Sequence, residues 1–395
     1  MKKILFSPPD ISQKEINYVI ETLKSGWITT GPKTKKFEKK ISNYCGTKKS
    51  ICMNSATACL ESALRVLDIG PGDEVIVPAY TYTASCSVIC HVGATPIMVD
   101  LSEDSLEMDY NKVFDLINCK TKAIIPVDIG GILCDYERIF EIVNSQKTKF
   151  RADNELQEKI GRVCIISDSA HAFGATRNSK ISGSIADFTA FSFHAVKNLV
   201  TAEGGALTWT IDDDDLYKKL SLTSLHGQNK DALAKMNPSD WEYDIVCTGY
   251  KNNMTDILAS IGLAQLERFE SLIEKRRKLA SLYNSYLRDS SIKIYQEDSR
   301  LNDSTVHLYI TNIKGKNENF RNTIINKMAQ MGIATNVHYK PLPMMTAYKN
   351  LGFDIKDYPN SFKQYENEIT LPLHTLMSEE DVEYICKCLF DLSLL

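Results

Sequence analysis

The sequence predicts an α/β fold in which helices cover a mostly parallel sheet. Three observations carry this. β-rich runs of four or five residues alternate with helical patterns, turn residues separate them, and 395 residues with 43% apolar content can bury one large core and a smaller one. The runs at 49–53, 74–77, 96–99 and 123–127 are expected strands, and those at 56–67 and 83–91 expected helices. Gly70-Pro-Gly-Asp and Val92-Gly-Ala-Thr-Pro supply turns between these units. Residues 144–161 are polar and charged, which predicts a surface insertion without catalytic content. Residues 252–286 carry one long helical pattern, with Ile257, Ile261, Leu263, Leu266, Phe269 and Leu272 at near-helical spacing. This helix is expected to lead from a large domain with an N-terminal arm, 1–269, into a smaller C-terminal α/β domain, 270–395.

Composition narrows the function classes. Charged residues make up 24% of the chain and the formal net charge is −4, so no global basic field draws it to nucleic acid or an anionic membrane. Any phosphate must therefore be held by a local site. Apolar stretches fall far short of the ~20 residues a membrane helix needs. The start, Met1-Lys-Lys-Ile-Leu-Phe-Ser-Pro-Pro, is too short in apolar residues for a signal peptide, so a cytoplasmic protein is expected. The eleven cysteines sit in apolar segments without a CxxC pair. They are expected to be reduced, buried thiols rather than a disulfide frame or a zinc site.

The chemistry concentrates in two segments, Ile165-Ile-Ser-Asp-Ser-Ala-His-Ala and Asp187-Phe-Thr-Ala-Phe-Ser-Phe-His-Ala-Val-Lys-Asn. Asp168 ends an apolar strand at the carboxyl edge of the sheet, where open α/β folds bind ligands. Lys197 follows a second such strand. A carboxylate and a lysine at neighbouring strand ends suit pyridoxal phosphate (PLP): the lysine amine forms a Schiff base and the carboxylate keeps the pyridine nitrogen protonated. Phe191, Phe193 and Leu199 flank Lys197 and are expected to desolvate its amine, lowering its pKa. Ser192 is a candidate to hydrogen-bond a phosphate, and Ala56 and Thr57 open a helix after a strand, a natural anion site.

These segments, with Ser25-Gly-Trp-Ile-Thr-Thr-Gly-Pro, Asn54-Ser-Ala-Thr-Ala, Gly249-Tyr-Lys-Asn-Asn-Met-Thr-Asp and Leu371-Pro-Leu-His, resemble the DegT/StrS sugar aminotransferases over most of the chain. The forms Asp-Ser-Ala-His and Ser-Phe-His-Ala-Val-Lys-Asn are most similar to the branch acting at C4 of UDP-linked 4-keto sugars. The resemblance implies the type I PLP-dependent aminotransferase fold. It implies Lys197 as the Schiff-base lysine, Asp168 as partner of the pyridine nitrogen, and His171 beside the ring's phenolic oxygen. Ala56, Thr57 and Ser192 would hold the phosphate and Tyr82 would stack on the ring. Asn253 would reach the phosphate from the neighbouring subunit, so a homodimer with shared sites is implied.

On the substrate side, His338 and Lys340 are candidates for contact with the sugar nucleotide, and Thr29 and Thr30 are further ones. The expected reaction takes an amino group from L-glutamate to the keto carbon of a nucleotide-linked 4-keto-6-deoxy sugar. Which sugar, which nucleotide, and C4 or C3 depend on pocket shape and stay open. Relatives with a histidine in place of the lysine are dehydratases, and Lys197 argues against that chemistry. A catalytically silent sugar-nucleotide-binding protein of the same fold is the alternative, because fold alone does not fix function.

Overall fold

The computed structural model describes residues 3–229, 242–297, 299 and 303–393. Its main sheet gathers β1 (Ser50–Met53), β2 (Glu74–Pro78), β3 (Thr95–Val99), β4 (Thr121–Ile124) and β5 (Cys164–Asp168). After a small hairpin, β6 (Thr176–Arg177) and β7 (Lys180–Ile181), it adds β8 (Phe188–Ser192) and β9 (Gly205–Trp209). The strand order is β1-β9-β8-β5-β4-β2-β3. β9 runs antiparallel to both its neighbours, and the other joins are parallel.

The strands read as continuous apolar runs because both faces of the sheet are covered. Alternate residues go to opposite sides: Val75, Val77 and Ile166 join one core, and Ile76 and Ile165 the other. The N-terminal arm forms α1 (Gln13–Lys24), opened by a capping box between Ser12 and Glu15, and α2 (Pro32–Cys45), which has proline in its first turn. The helices α3 (Ala56–Val66) and α4 (Thr83–His91) follow β1 and β2, while α5 (Tyr110–Leu116) and α6 (Tyr136–Ser145) lie around β4.

Residues 144–161 lie mostly at the surface, as expected, but they are also tied to the core. They contain α7 (Glu155–Ile160), whose Leu156 is buried in the main core. The Asn154 and Gln157 amides both donate to Leu67 O, at 2.8 and 2.7 Å. Leu67 is the C-cap of α3, so the segment satisfies a carbonyl that a helix end leaves open. Lys122, itself buried, reaches Arg151 O and the Asp153 carboxylate. The polar composition thus serves internal hydrogen bonds as well as solvent.

After α8 (Leu216–Ser224), the long helix expected over 252–286 is two helices, α9 (Asp256–Leu266) and α10 (Phe269–Leu287). The break falls at Glu267 and Arg268. The Arg268 guanidinium is held by Glu15 and Asp10, each at 2.8 Å, and its backbone leaves helical geometry with φ −120°. Beyond α10, β10 (Ile292–Ile294), β11 (Tyr309–Ile313) and β12 (Glu368–Leu371) form an antiparallel sheet in the order β10-β11-β12. Tyr283 and Tyr309 stack at 4.5 Å in the core beneath it. Ile4 joins that core, and its backbone pairs with Gly332 and Ala334.

Eight of the cysteines are buried as expected, but Cys90, Cys119 and Cys247 are exposed. All eleven are free. Among the described residues no helix is long and apolar enough to cross a membrane.

Candidate active site

A cavity of about 490 Å³ opens where β5 and β8 end and α3 begins. Asp168 reaches it from the last position of β5, fixed there by backbone bonds to Pro126 O and from Asp128 N. Its carboxylate is buried, accepting from Ser85 Oγ at 2.7 Å and from Ala170 N at 3.2 Å. Burial raises its pKa, with Ser85 opposing. No ion pair joins Asp168 to another described residue, so a cation arriving in the cavity would relieve that desolvation.

Lys197 enters from the loop after β8, where its N–H bonds to His194 O at 2.8 Å. The side chain is half-buried, and loss of hydration lowers its pKa to about 8, with Asp168 opposing. The lowered pKa is as expected, but the flanking aromatics do not line the cavity. Phe191 and Phe193 turn away into a separate core with Phe37, Phe173 and Phe269. The rings that line the cavity are Phe6, Tyr82, His171, His194, His307, His338 and Tyr339.

Ala56 and Thr57 line the cavity from the first turn of α3. The Ser55 hydroxyl accepts from Ala58 N and its carbonyl from Cys59 N, so among the described residues the Ala56 and Thr57 amides have no hydrogen-bond partner. Close seating of this turn requires Gly205, where a Cβ would lie 2.5 Å from Ser55 C and 2.6 Å from Ala56 N. Ser192 lines the same end and accepts weakly from His194 N at 3.4 Å.

Tyr82, the N-cap of α4, stands 60% exposed over the cavity. His171 is buried beneath, and Tyr339 Oη lies 3.1 Å from its Nε2. His338 is held by Thr370 Oγ1 at 3.0 Å, and burial with Lys197 nearby lowers its pKa to about 3. A buried carboxylate, an amine of lowered pKa and an open helix N-terminus match the pyridine nitrogen, aldehyde and phosphate of PLP, so the residues fit that group.

The remaining candidates lie elsewhere. Lys340 is exposed and does not line the cavity. Thr29, Thr30 and Asn253 do not line it either: Thr29 O accepts from Asp256 N, and Thr30 Oγ1 donates to Met254 O and accepts from Asn253 Nδ2. Sequence reasoning missed Ser85, His307 and Tyr339. Tyr339 adjoins His338 in a run that drew attention, and Ser85 follows the Tyr80-Thr-Tyr-Thr-Ala run, but nothing local marks His307.

Residues 9–390 match the model of the DegT/DnrJ/EryC1/StrS aminotransferase family. SpsC, a spore coat polysaccharide biosynthesis protein of Bacillus subtilis strain 168, is 35% identical over 394 residues, covering 98% of this chain and 96% of the relative. The GDP-perosamine synthase of Caulobacter vibrioides is 33% identical over 391 residues, covering 98% of each. Among solved structures, Spr1654 of Streptococcus pneumoniae in its PMP form has 54% identity and a TM-score of 0.95, covering 100% of this chain and 98% of that one. Its PLP form gives 53% and 0.95, with 100% and 99% covered.

Proposed function

The chain belongs to the DegT/DnrJ/EryC1/StrS aminotransferase family and is a PLP-dependent sugar aminotransferase, and from that premise we propose that it moves an amino group from L-glutamate to C4 of a nucleotide-linked, most simply UDP-linked, 4-keto-6-deoxy sugar. The observation that carries the site assignment is the convergence of Asp168, Lys197 and the first turn of α3 on one cavity. When bound, PLP supplies an aldehyde carbon that accepts the amino group and a ring that withdraws electrons.

In this reading, the Lys197 amine would hold the cofactor through its aldehyde carbon, and as a free amine it would carry the proton between cofactor and substrate, a task suited to a group of pKa about 8. Asp168 holds the proton of the pyridine nitrogen, and Ser85 keeps its carboxylate oriented. The Ala56 and Thr57 amides and Ser192 receive the phosphate, and Tyr82 covers the ring and excludes water. His171 would lie beside the ring's phenolic oxygen and His338 on the side of the sugar; both line the cavity. Amination at C3 by the same groups is the second reading.

We further propose a division near residue 270 and a homodimer in which Asn253 serves the partner's phosphate site. Support comes from Asn253 not lining the cavity of its own chain while its amide is engaged with Thr30. An apolar groove of about 390 Å³ beside the Lys197 loop, lined by Ile11, Ile16, Ile20, Ala195, Val200 and Ile261, also supports it. The test of the substrate is incubation with PLP, glutamate and a panel of UDP-, dTDP- and GDP-linked 4-keto-6-deoxy sugars, with products identified by mass and NMR. GDP sugars belong in the panel because the Caulobacter relative is named for one. An amine at C4 of a UDP sugar is expected. An amine at C3, or turnover confined to another nucleotide, would overturn that assignment.

A further inference from the structure

The hydrogen-bond polarity around His171 fixes what Tyr339 can do. Gly130 N–H points at His171 Nδ1 from 3.2 Å. A backbone N–H can only donate, so Nδ1 accepts and the neutral ring carries its proton on Nε2. A charged ring would set a second N–H against that of Gly130. Burial, with Lys197 and His338 nearby, holds the His171 pKa well below its ordinary value.

Nε2 lies 3.1 Å from Tyr339 Oη, so the imidazole donates to the phenol oxygen. Tyr339 keeps its own hydrogen, and among the described residues its hydroxyl has no second partner. Burial, with Asp168 close by, pushes its pKa up, so the group stays a phenol. Its ring centre is 6.2 Å from that of His171 and 6.0 Å from that of Tyr82, which places the hydroxyl in the wall of the cavity that holds Lys197.

We propose that Tyr339 donates a hydrogen bond to an oxygen of the bound ligand, and that His171 directs this donor by occupying its acceptor side. The oxygen is the cofactor's phenolic oxygen or one on the sugar. This rests on the reading of the cavity as the cofactor and sugar site. His338, a residue the sequence singles out, is a neighbour of this donor, its ring centre 5.0 Å from that of Tyr339.

Two measurements test this. In the cofactor-free protein, 15N NMR of labelled histidines, with His171→Gln to assign the signal, is expected to show Nε2 protonated and Nδ1 bare. The opposite tautomer would overturn the proposal without any reference to catalysis. The second uses Tyr339→Phe, which removes one hydroxyl and keeps the ring. If the acceptor is the cofactor's oxygen, the pH midpoint of the cofactor's absorbance in the substrate-free enzyme rises by about half a unit to one unit, because the phenolate loses a donor. If the acceptor is on the sugar, that spectrum stays unchanged while KM for the sugar rises or kcat falls by about 5- to 10-fold, the loss of one hydrogen bond. A variant matching the wild type in midpoint, KM and kcat overturns the proposal alone. A wild type with no lysine-linked cofactor band overturns the reading of the cavity, and the proposal with it.

Discussion

Asp168 and Lys197 divide the electrostatic work of the cavity between them: burial raises the carboxylate's pKa and lowers the amine's, while each opposes the other's shift. For Lys197 the sign is clear. Desolvation penalises the ammonium, so half of the chains carry the free amine near pH 8, where an ordinary lysine would carry under about 1%. Capture of PLP by cofactor-free enzyme should therefore accelerate as pH rises to about 8 and then level off, measured by stopped-flow absorbance. A rate still climbing in proportion to base beyond pH 10 would contradict this. Asp168→Asn keeps the shape and the Ser85 contact but removes the charge opposite the pyridine nitrogen. Turnover is expected to fall by about two orders of magnitude or more, as for loss of one preorganised electrostatic group, and near-normal kcat would remove Asp168 from that role. Both residues were legible because each follows an apolar run whose end the fold places at the sheet edge. The Ser85 contact was not, because 83 residues separate it from Asp168.

Among the elements, α3 depends most on its surroundings. Its first turn is set by Ser55, whose hydroxyl accepts from Ala58 N at 3.1 Å, and by Gly205 across the sheet. A methyl at 205 would meet the backbone of Ser55 and Ala56 on one side and Phe191 O, at 2.7 Å, on the other. Neither side is a flexible side chain that could swing away. Gly205→Ala is therefore expected to cost about 1–3 kcal/mol in a denaturant titration and to weaken PLP binding, since relief requires the α3 turn to move. Unchanged stability and PLP affinity would show that the close approach is not needed. The Glu203-Gly-Gly turn was visible in the sequence, but its contact with α3 was not. The division of the 252–286 pattern into α9 and α10 was equally hidden, because the break follows from Arg268 reaching back to Asp10 and Glu15 in the arm.

For the whole molecule, the shared-site proposal has a direct test. Lys197→Ala chains are mixed with Asn253→Asp chains, the latter chosen to repel the phosphate, once each homodimer has been found impaired. In a mixed dimer with shared sites both changes fall in one site and leave the other native, so subunit exchange should restore up to roughly half the native activity per dimer. If exchange is verified by mass and no activity returns, Asn253 acts within its own chain. Ile11, Ile16 and Ile20 bear on the same question, being 48%, 46% and 41% exposed along one groove. Such a row of apolar side chains is more readily explained by a partner than by solvent.

By itself the sequence determined the α/β class, the alternation of strands and helices from β1 to β4, and the two segments that deliver Asp168 and Lys197. These follow from side-chain periodicity and from the rule that parallel strands buried on both faces are apolar throughout. Only the tertiary structure decided that residues 144–161 close the end of α3, that Phe191 and Phe193 face away from Lys197, and that Thr30 is engaged with Met254 and Asn253. It also decided which proton His171 carries, through Gly130 on one side and Tyr339, 168 residues away, on the other. A periodic pattern specifies which face of an element is apolar, but a hydrogen bond needs a particular donor and acceptor to meet at about 3 Å, and for segments distant in the chain that meeting is set by packing alone.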